Sequence, residues 1–190
     1  MTAAQAKIFL LSPDEYLEGE EISPIKHEYR QGYVYAMAGT SKAHVLIAGN
    51  LGTLLNNHLR KSPCMVFNSD LKVRLEEANC FYYPDISVSC HSWDLKTTGN
   101  FILSPLLIVE ILSKSTQAFD RGGKFADYQT LDSLQEYVLI HQDKIKVECF
   151  KRQQNNQWQQ IIYQSGDILE LNSIDLKCPI EEVYLKVGLQ

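Results

Sequence analysis

Apolar residues recur along this chain with two periods, near 3.6 in some stretches and near 2 in others, and the alternation between them predicts the order of elements. In "LSPDEYL", Ser12, Pro13 and Glu15 form a capping box with proline at the first helical position, so a short helix follows. "IKHEYRQGYVYAMAG" alternates around Gln31-Gly32 and predicts a hairpin with Glu28 in its first arm. From Thr40 to about Lys61 the spacing of Val45, Ala48, Leu51, Leu55 and Leu59 predicts one face of a long helix, which Pro63 stops. Three strand candidates come next, "MVFNSDLKVRL", "FYYPDISVSC" and "LLIVEILS", the first two joined by the short "EEAN" and the last two by "HSWDLKTTGNFILSP". Phe125, Tyr128 and Leu131 then predict a second long helix over roughly Asp120 to Leu131, its first turn weakened by Gly122-Gly123. The remainder reads as strands with turns at Gln142-Asp143, Asn155-Asn156 and Gly166-Asp167, closed by a helical turn in "CPIEEVY". Such an order is buried most simply by an α/β (α+β) fold. Its mixed central sheet is flanked by helices, with a hairpin added before it and strands after it.

Composition narrows the class. The chain of 190 residues is expected to form a single domain, 1–190, with its core at about 40–142. Apolar residues make up 45% of it and charged residues 22%, enough for an ordinary globular core. No apolar run approaches the ~20 residues that span a bilayer, and "MTAAQAKIFLLSPDEY" lacks a signal-peptide layout, so a cytoplasmic protein is expected. The cysteines Cys64, Cys80, Cys90, Cys149 and Cys178 are odd in number and contain no C-x-x-C pair. They signal neither a disulfide framework nor a zinc site, and are expected to be buried free thiols. A net charge of −5 argues against a dedicated non-specific nucleic-acid binder, although Arg60, Lys61, Lys72 and Arg74, and again Lys114, Arg121 and Lys124, gather locally.

The residue that asks for chemistry is Glu110, alone in the apolar "LLIVEILSKST". A carboxylate in a buried strand costs several kcal/mol unless it is paired. Its partner is either a metal or one of Arg121, Lys124 and Lys72. Asp85 follows Pro84 at a strand start in the preceding candidate strand, so two carboxylates enter neighbouring strands. Alternation puts Asp85 with Ser87 and Ser89, and Glu110 with Ile108 and Leu112. Converging carboxylates form a hard oxygen site that suits Mg²⁺ or Mn²⁺ rather than zinc.

With these residues in place, the chain resembles the PD-(D/E)XK nuclease superfamily. More closely, "KHEYRQGYVYAMAG", "SDLKVRL", "YPDISVSC", "LIVEILSKST" and "DRGGKFADYQTLDSLQEYVLI" resemble the Uma-type restriction endonuclease family, in the family's order and over about Ser12 to Val183. The resemblance implies a restriction endonuclease-like fold and a metal-dependent endonuclease acting on DNA, paired as a homodimer. It implies that Asp85, Glu110 and the backbone carbonyl of Ile111 hold Mg²⁺ (or Mn²⁺), with Glu28 as an added acidic residue beside the metal. The superfamily's lysine two residues after the glutamate is Leu112 here. The catalytic amine must then come from Lys124, the favoured candidate, from Lys114, or from Lys72, which follows Asp70 by two. His44 resembles a histidine recurrent at the start of the family's first long helix, and Arg121 is a candidate phosphate contact with a surface ion pair as its plainer role. Tyr82, Tyr83 and Trp93 are candidates for stacking on bases or for the core, and the loop from His91 to Ser104 is a candidate contact region. Leu112 and the acidic charge leave a second class open, a catalytically degenerate module that binds nucleic acid or a protein partner.

Overall fold

Local signals set the first elements of the structure, a computed structural model that describes residues 10–37 and 39–189. Residues 1–9, on which the reading against a signal peptide rests, lie outside the described residues. Helix α1 (Pro13–Ile22) opens with the expected capping box: Ser12 Oγ accepts the Glu15 N–H, and Glu15 Oε2 accepts the Ser12 N–H at 2.7 Å. Strands β1 (His27–Arg30) and β2 (Tyr33–Ala36) form the hairpin, with Gln31 at φ 51° and Gly32 at φ 94°, the left-handed pair a two-residue turn requires. Helix α2 (Lys42–Leu59) starts at Ser41, whose side chain accepts the His44 N–H, and buries Ile47, Leu51, Leu55 and Leu59. Val45 does not share that face and is 56% exposed. At 100° per residue it lies roughly 100° away from the centre of the buried stripe.

The next two strand candidates both divide. "MVFNSDLKVRL" becomes β3 (Met65–Asn68) and β4 (Lys72–Leu75), and "FYYPDISVSC" becomes β5 (Cys80–Tyr82) and β6 (Ile86–Ser89). At the first break Asn68 Oδ1 accepts the Asp70 N–H, a side-chain turn that competes with the ladder. At the second, Pro84 has no N–H to give. The chain therefore changes sheets twice: β4 and β5 pair in one sheet, and β3 and β6 pair in another.

A short helix α3 (Ser92–Lys96) and strand β7 (Phe101–Ile102) lead to the central strand β8 (Leu107–Leu112). The second long helix expected over Asp120 to Leu131 is instead two short ones, α4 (Gln117–Arg121) and α5 (Gly123–Tyr128), broken at Gly122 with φ −113° and ψ −94°. Strands β9 (Glu136–His141), β10 (Lys146–Arg152) and β11 (Trp158–Gln164) complete a six-stranded sheet of order β11-β10-β9-β8-β6-β3. It is mixed, since β8 runs antiparallel to β6 and parallel to β9. The five-stranded sheet has the order β2-β1-β5-β4-β7, and β12 (Ile168–Leu171) pairs with β13 (Leu176–Pro179) separately. "CPIEEVY" does close with a 3₁₀ turn, Ile180–Glu182.

Both faces of the six-stranded sheet are covered. Ile86, Val88, Val109 and Ile111 pack with α2 and the C-terminal strands. Ile108, Leu112, Tyr137 and Leu139 pack with α5 and with Val73, Leu75 and Tyr82 of the other sheet. Glu110 follows Ile108 and Leu112 onto this second face, as the alternation requires. The cysteine reading needs correction: Cys64 and Cys90 form a disulfide with Cα atoms 4.1 Å apart, and only Cys80, Cys149 and Cys178 are buried free thiols. The β3–β6 register pairs Met65 with Ser89, so Cys64 and Cys90 fall opposite each other one step further. No helix among the described residues is long and apolar enough to cross a membrane.

Candidate active site

Where the two sheets part, an open cleft of about 2420 Å³ forms, lined by β1, the first turns of α2, the end of β8 and the α4–α5 segment. Asp85 stands at the point of parting. The β6–β8 ladder ends at the pair Ile86 and Val109, and one step beyond it Asp85 Oδ2 accepts the Ile111 N–H at 2.7 Å. The side chain thus replaces the ladder bond that the turn at Pro84 removes. Its other oxygen, Oδ1, is 2.7 Å from His44 Nε2, which the capped first turn of α2 carries to the same place.

Glu110, 5% exposed, finds its partner in Lys124. The Lys124 ammonium is 2.9 Å from Glu110 Oε1 and donates to Glu28 Oε1 at 2.8 Å. Of the three cations its spacing allowed, Lys124 alone pairs with it. Glu28 Oε1 also accepts the Tyr83 N–H at 3.2 Å, and the Lys124 ammonium lies 5.1 Å from the centre of the Tyr82 ring. Asp120, 4% exposed, is a further carboxylate close enough to act on both Glu110 and Lys124. Sequence reasoning marks it only as the start of the second long helix. The one signal available was its spacing of four before Lys124, which the break at Gly122 obscures.

The electrostatics of this cluster are lopsided. Burial raises the Glu110 pKa well above the usual carboxylate range; Lys124 opposes the rise, and Asp120, Asp85 and Glu28 add to it. Asp120 is raised too, chiefly by burial and against the pull of Lys124. Burial works against the Lys124 charge, yet Glu110, Glu28 and Asp120 together outweigh it and hold the ammonium firmly protonated. Three carboxylates thus share one lysine, a fourth, Asp85, adds to the charge beside Glu110, and the site is short of positive charge.

The remaining candidates divide. Lys114 is exposed in the turn after β8 and lines the cleft, as do Asp70, which pairs with Lys26 at 2.7 Å, and Thr116. Lys72 is buried away from Glu110 with its ammonium 3.2 Å from the Tyr83 hydroxyl, and desolvation lowers its pKa. Arg121 turns to a second cluster, 3.0 Å from Glu148 Oε1 and 3.0 Å from His141 Nε2. Leu112 fills the apolar core at 4% exposure. Tyr82 is core, its hydroxyl donating to Asp127 at 2.5 Å, and Tyr83 is buried; Trp93 stacks on Phe101. The His91–Ser104 loop is tied down by buried Asp94, which accepts the Leu103 and Ser104 N–H groups.

Among the described residues no three His, Cys, Asp or Glu side chains form a ready-made metal cage. The carboxylates of Asp85 and Glu110, with the Ile111 carbonyl, are the oxygen donors the cleft offers, and the His44 imidazole is already 2.7 Å from Asp85 Oδ1. That set fits Mg²⁺, which is commonly held by one or two carboxylates and keeps its other positions for water and phosphate. The Ile111 N–H faces Asp85. Because both polar groups of a strand residue project to the same side, its carbonyl faces the same gap.

Comparison with known proteins identifies the fold and the family. The crystal structure of a protein from Anabaena variabilis, described as "a putative nuclease belonging to DUF820", superposes with a TM-score of 0.75 at 19% identity, over 92% of this chain and 97% of that one. Two proteins of Synechocystis sp., both described as uncharacterized, are similar in sequence. The protein slr1290 is 42% identical over 92% of this chain and 91% of its own length, and sll1609 is 35% identical over 83% and 89%. The family model for Uma2, "Putative restriction endonuclease", matches residues 13–181, and the chain belongs to that family.

Proposed function

We propose that this protein is a Mg²⁺- or Mn²⁺-dependent endonuclease that hydrolyses phosphodiester bonds of DNA. The observation that carries the reading is the charge imbalance: Glu110, Glu28 and Asp120 bear on the single ammonium of Lys124, and Asp85 adds its charge beside Glu110, in the lining of a cleft. A divalent cation held by Asp85, Glu110 and the Ile111 carbonyl offsets that imbalance. It supplies Lewis acidity toward a phosphate oxygen. Lys124 is the charge-stabilising group, presenting an ammonium where negative charge develops on phosphorus oxygens. Glu28 holds that ammonium in place, and His44 fixes the rotation of Asp85. The cleft is several times larger than the ~300–1,000 Å³ of small-molecule sites and suits a polynucleotide. DNA as the substrate and a homodimer that cuts both strands follow from likeness to restriction endonucleases, and a single domain and a cytoplasmic location from the chain's length and its lack of a long apolar run.

Leu112 in the core, where the superfamily's lysine is expected, favours one rival, a degenerate module that only binds. Calorimetric titration of Mn²⁺ into the wild type, Asp85→Ala and Glu110→Ala, followed by nicking of supercoiled plasmid, separates the two. The nuclease requires metal binding and metal-dependent nicking in the wild type and their loss in both folded variants. A folded wild type that binds DNA in a salt-dependent manner, ignores Mn²⁺ and leaves plasmid intact would establish the rival.

A further inference from the structure

Beside the carboxylate cluster lies a second, half-buried ion pair that the proposed chemistry does not use, between Arg30 and Asp127. Arg30 Nε donates to Asp127 Oδ2 at 2.7 Å and Nη2 to Oδ1 at 3.2 Å, the two-pronged geometry that orients as well as attracts. Asp127 is only 8% exposed and its Oδ2 also accepts the Tyr82 hydroxyl. Glu28 and Arg30 project from one side of β1, two residues apart; Lys124 and Asp127 project from one side of α5, three apart. Strand and helix are therefore joined by two parallel ion pairs, Glu28–Lys124 and Arg30–Asp127. We infer that Arg30 and Asp127 are positioning residues that fix α5 so that the Lys124 ammonium sits between Glu28 and Glu110.

Helix α5 needs such an anchor. It has six residues, far below the ~12–15 at which a helix is marginal on its own, and Gly122 uncouples it from α4. Gly123 shows how closely the anchor is built: a Cβ there would meet Phe119 Cε2 at 2.8 Å, with Arg30 Nη2 3.7 Å away. Arg30 in turn lies over the Phe119 ring, 5.5 Å from its centre. Tyr82 touches both halves, its hydroxyl on Asp127 and its ring beneath Lys124. With the fork removed, Phe125 and Tyr128 still pack α5 on Tyr137, but its remaining ion pairs in the cleft, Glu28–Lys124 and Glu110–Lys124, are both made by the flexible side chain whose placement is in question.

The inference rests on Lys124 being the charge-stabilising amine, but its test does not require cleavage. Pulse acetylation of the folded full-length chain, with modification read by mass spectrometry, compares Lys124 with Lys72 and Lys151, two buried lysines elsewhere. In Arg30→Met and Asp127→Asn the Lys124 rate should rise about tenfold, with Lys72 and Lys151 as protected as in the wild type. Arg30→Lys, which keeps the charge without the fork, should fall between. Lys124 remaining as protected as in the wild type overturns the inference. So does an equal rise at all three lysines, which would mark the pair as general support for the fold. Wild-type protein that neither binds Mn²⁺ nor nicks plasmid would instead count against the nuclease reading alone, leaving the acetylation result to decide the anchor.

Discussion

Lys124 and Glu110 come from different layers of the fold, a short helix and a central strand, and meet at 2.9 Å with both side chains buried. The pair does not balance its surroundings, because Asp120, Asp85 and Glu28 also bear on Glu110 and its pKa is held above 4.5 mainly by burial. The folded protein therefore keeps a proton that the unfolded chain releases. Between 4.5 and the raised folded value the native state binds more protons, so stability falls as pH rises through that window. Urea midpoints measured upward from pH 4.5 should fall more steeply, or rise less, in the wild type than in Glu110→Gln, with Asp120 contributing a slope of the same sign in both. Equal slopes in the two proteins would mean that Glu110 is ionised throughout.

Because the Lys124 ammonium lies between Glu28 and Glu110, it competes electrostatically with any divalent ion drawn to the same carboxylates. Lys124→Met should tighten Mn²⁺ binding by about tenfold, equivalent to roughly 1.4 kcal/mol, while lowering plasmid nicking on the order of a hundredfold. Calorimetry on the two proteins reads the first effect. Unchanged or weaker Mn²⁺ binding would show that the lysine helps to hold the ion.

The amine's route to the site can be tested by reversing it. Leu112 lies on the same strand face as Glu110, two residues on, so a lysine there starts from the place that the superfamily pattern assigns to it. Placed in Lys124→Met, the added Leu112→Lys should recover part of the lost nicking. It should also lower stability by about 1–3 kcal/mol, since an aliphatic core position receives an ammonium stem. Nicking that stays at the Lys124→Met level in a folded double variant would argue that the direction of approach matters as much as the charge.

These residues also show how far the chain could be read without coordinates. Glu110 is conspicuous because one charge in an apolar strand is a local contradiction, and Asp85 is legible beside Pro84, whereas Glu28 and Lys124 stand out as site residues through the family resemblance. What escaped depended on where the chain leaves one element for another. Pro84 reads as a strand start, but it lies in the connection between β5 and β6, where one sheet ends before the other begins. Gly122 and Gly123 weaken a helix on paper, whereas in the fold they break it and turn buried Asp120 toward Lys124. The role of Arg30 needs the distance between β1 and α5, which no spacing along the chain encodes.

The same limit explains the cysteines, whose pairing is a consequence of β3–β6 register. Thiol titration of denatured protein should find three free groups before reduction and five after it, since Cys80, Cys149 and Cys178 are unpaired. Replacing Cys64 and Cys90 by serine should cost about 3 kcal/mol in urea unfolding under oxidising conditions, and nothing comparable once the wild type is reduced. Five thiols without reductant would remove the cross-link from the folded protein.

Arg121 defines the last expectation, because it stabilises through Glu148 at a distance from the carboxylate cluster. Burial opposes the Glu148 charge, but hydrogen bonds from Arg121, His141 and Lys146 hold its pKa down to about 2. The folded state therefore keeps Glu148 ionised where the unfolded chain takes up a proton. Its stabilising contribution is present above about 4.5 and is lost as pH falls toward about 2. Glu148→Gln should flatten acid unfolding over that interval and leave Mn²⁺ affinity at the wild-type level, because Glu148 bonds to Arg121, His141, Lys146 and Gln160 and to none of the metal-site residues. Arg121→Met should lose acid stability in the same direction without abolishing plasmid nicking. A collapse of nicking in folded Arg121→Met would instead place Arg121 among the groups that hold the nucleic acid.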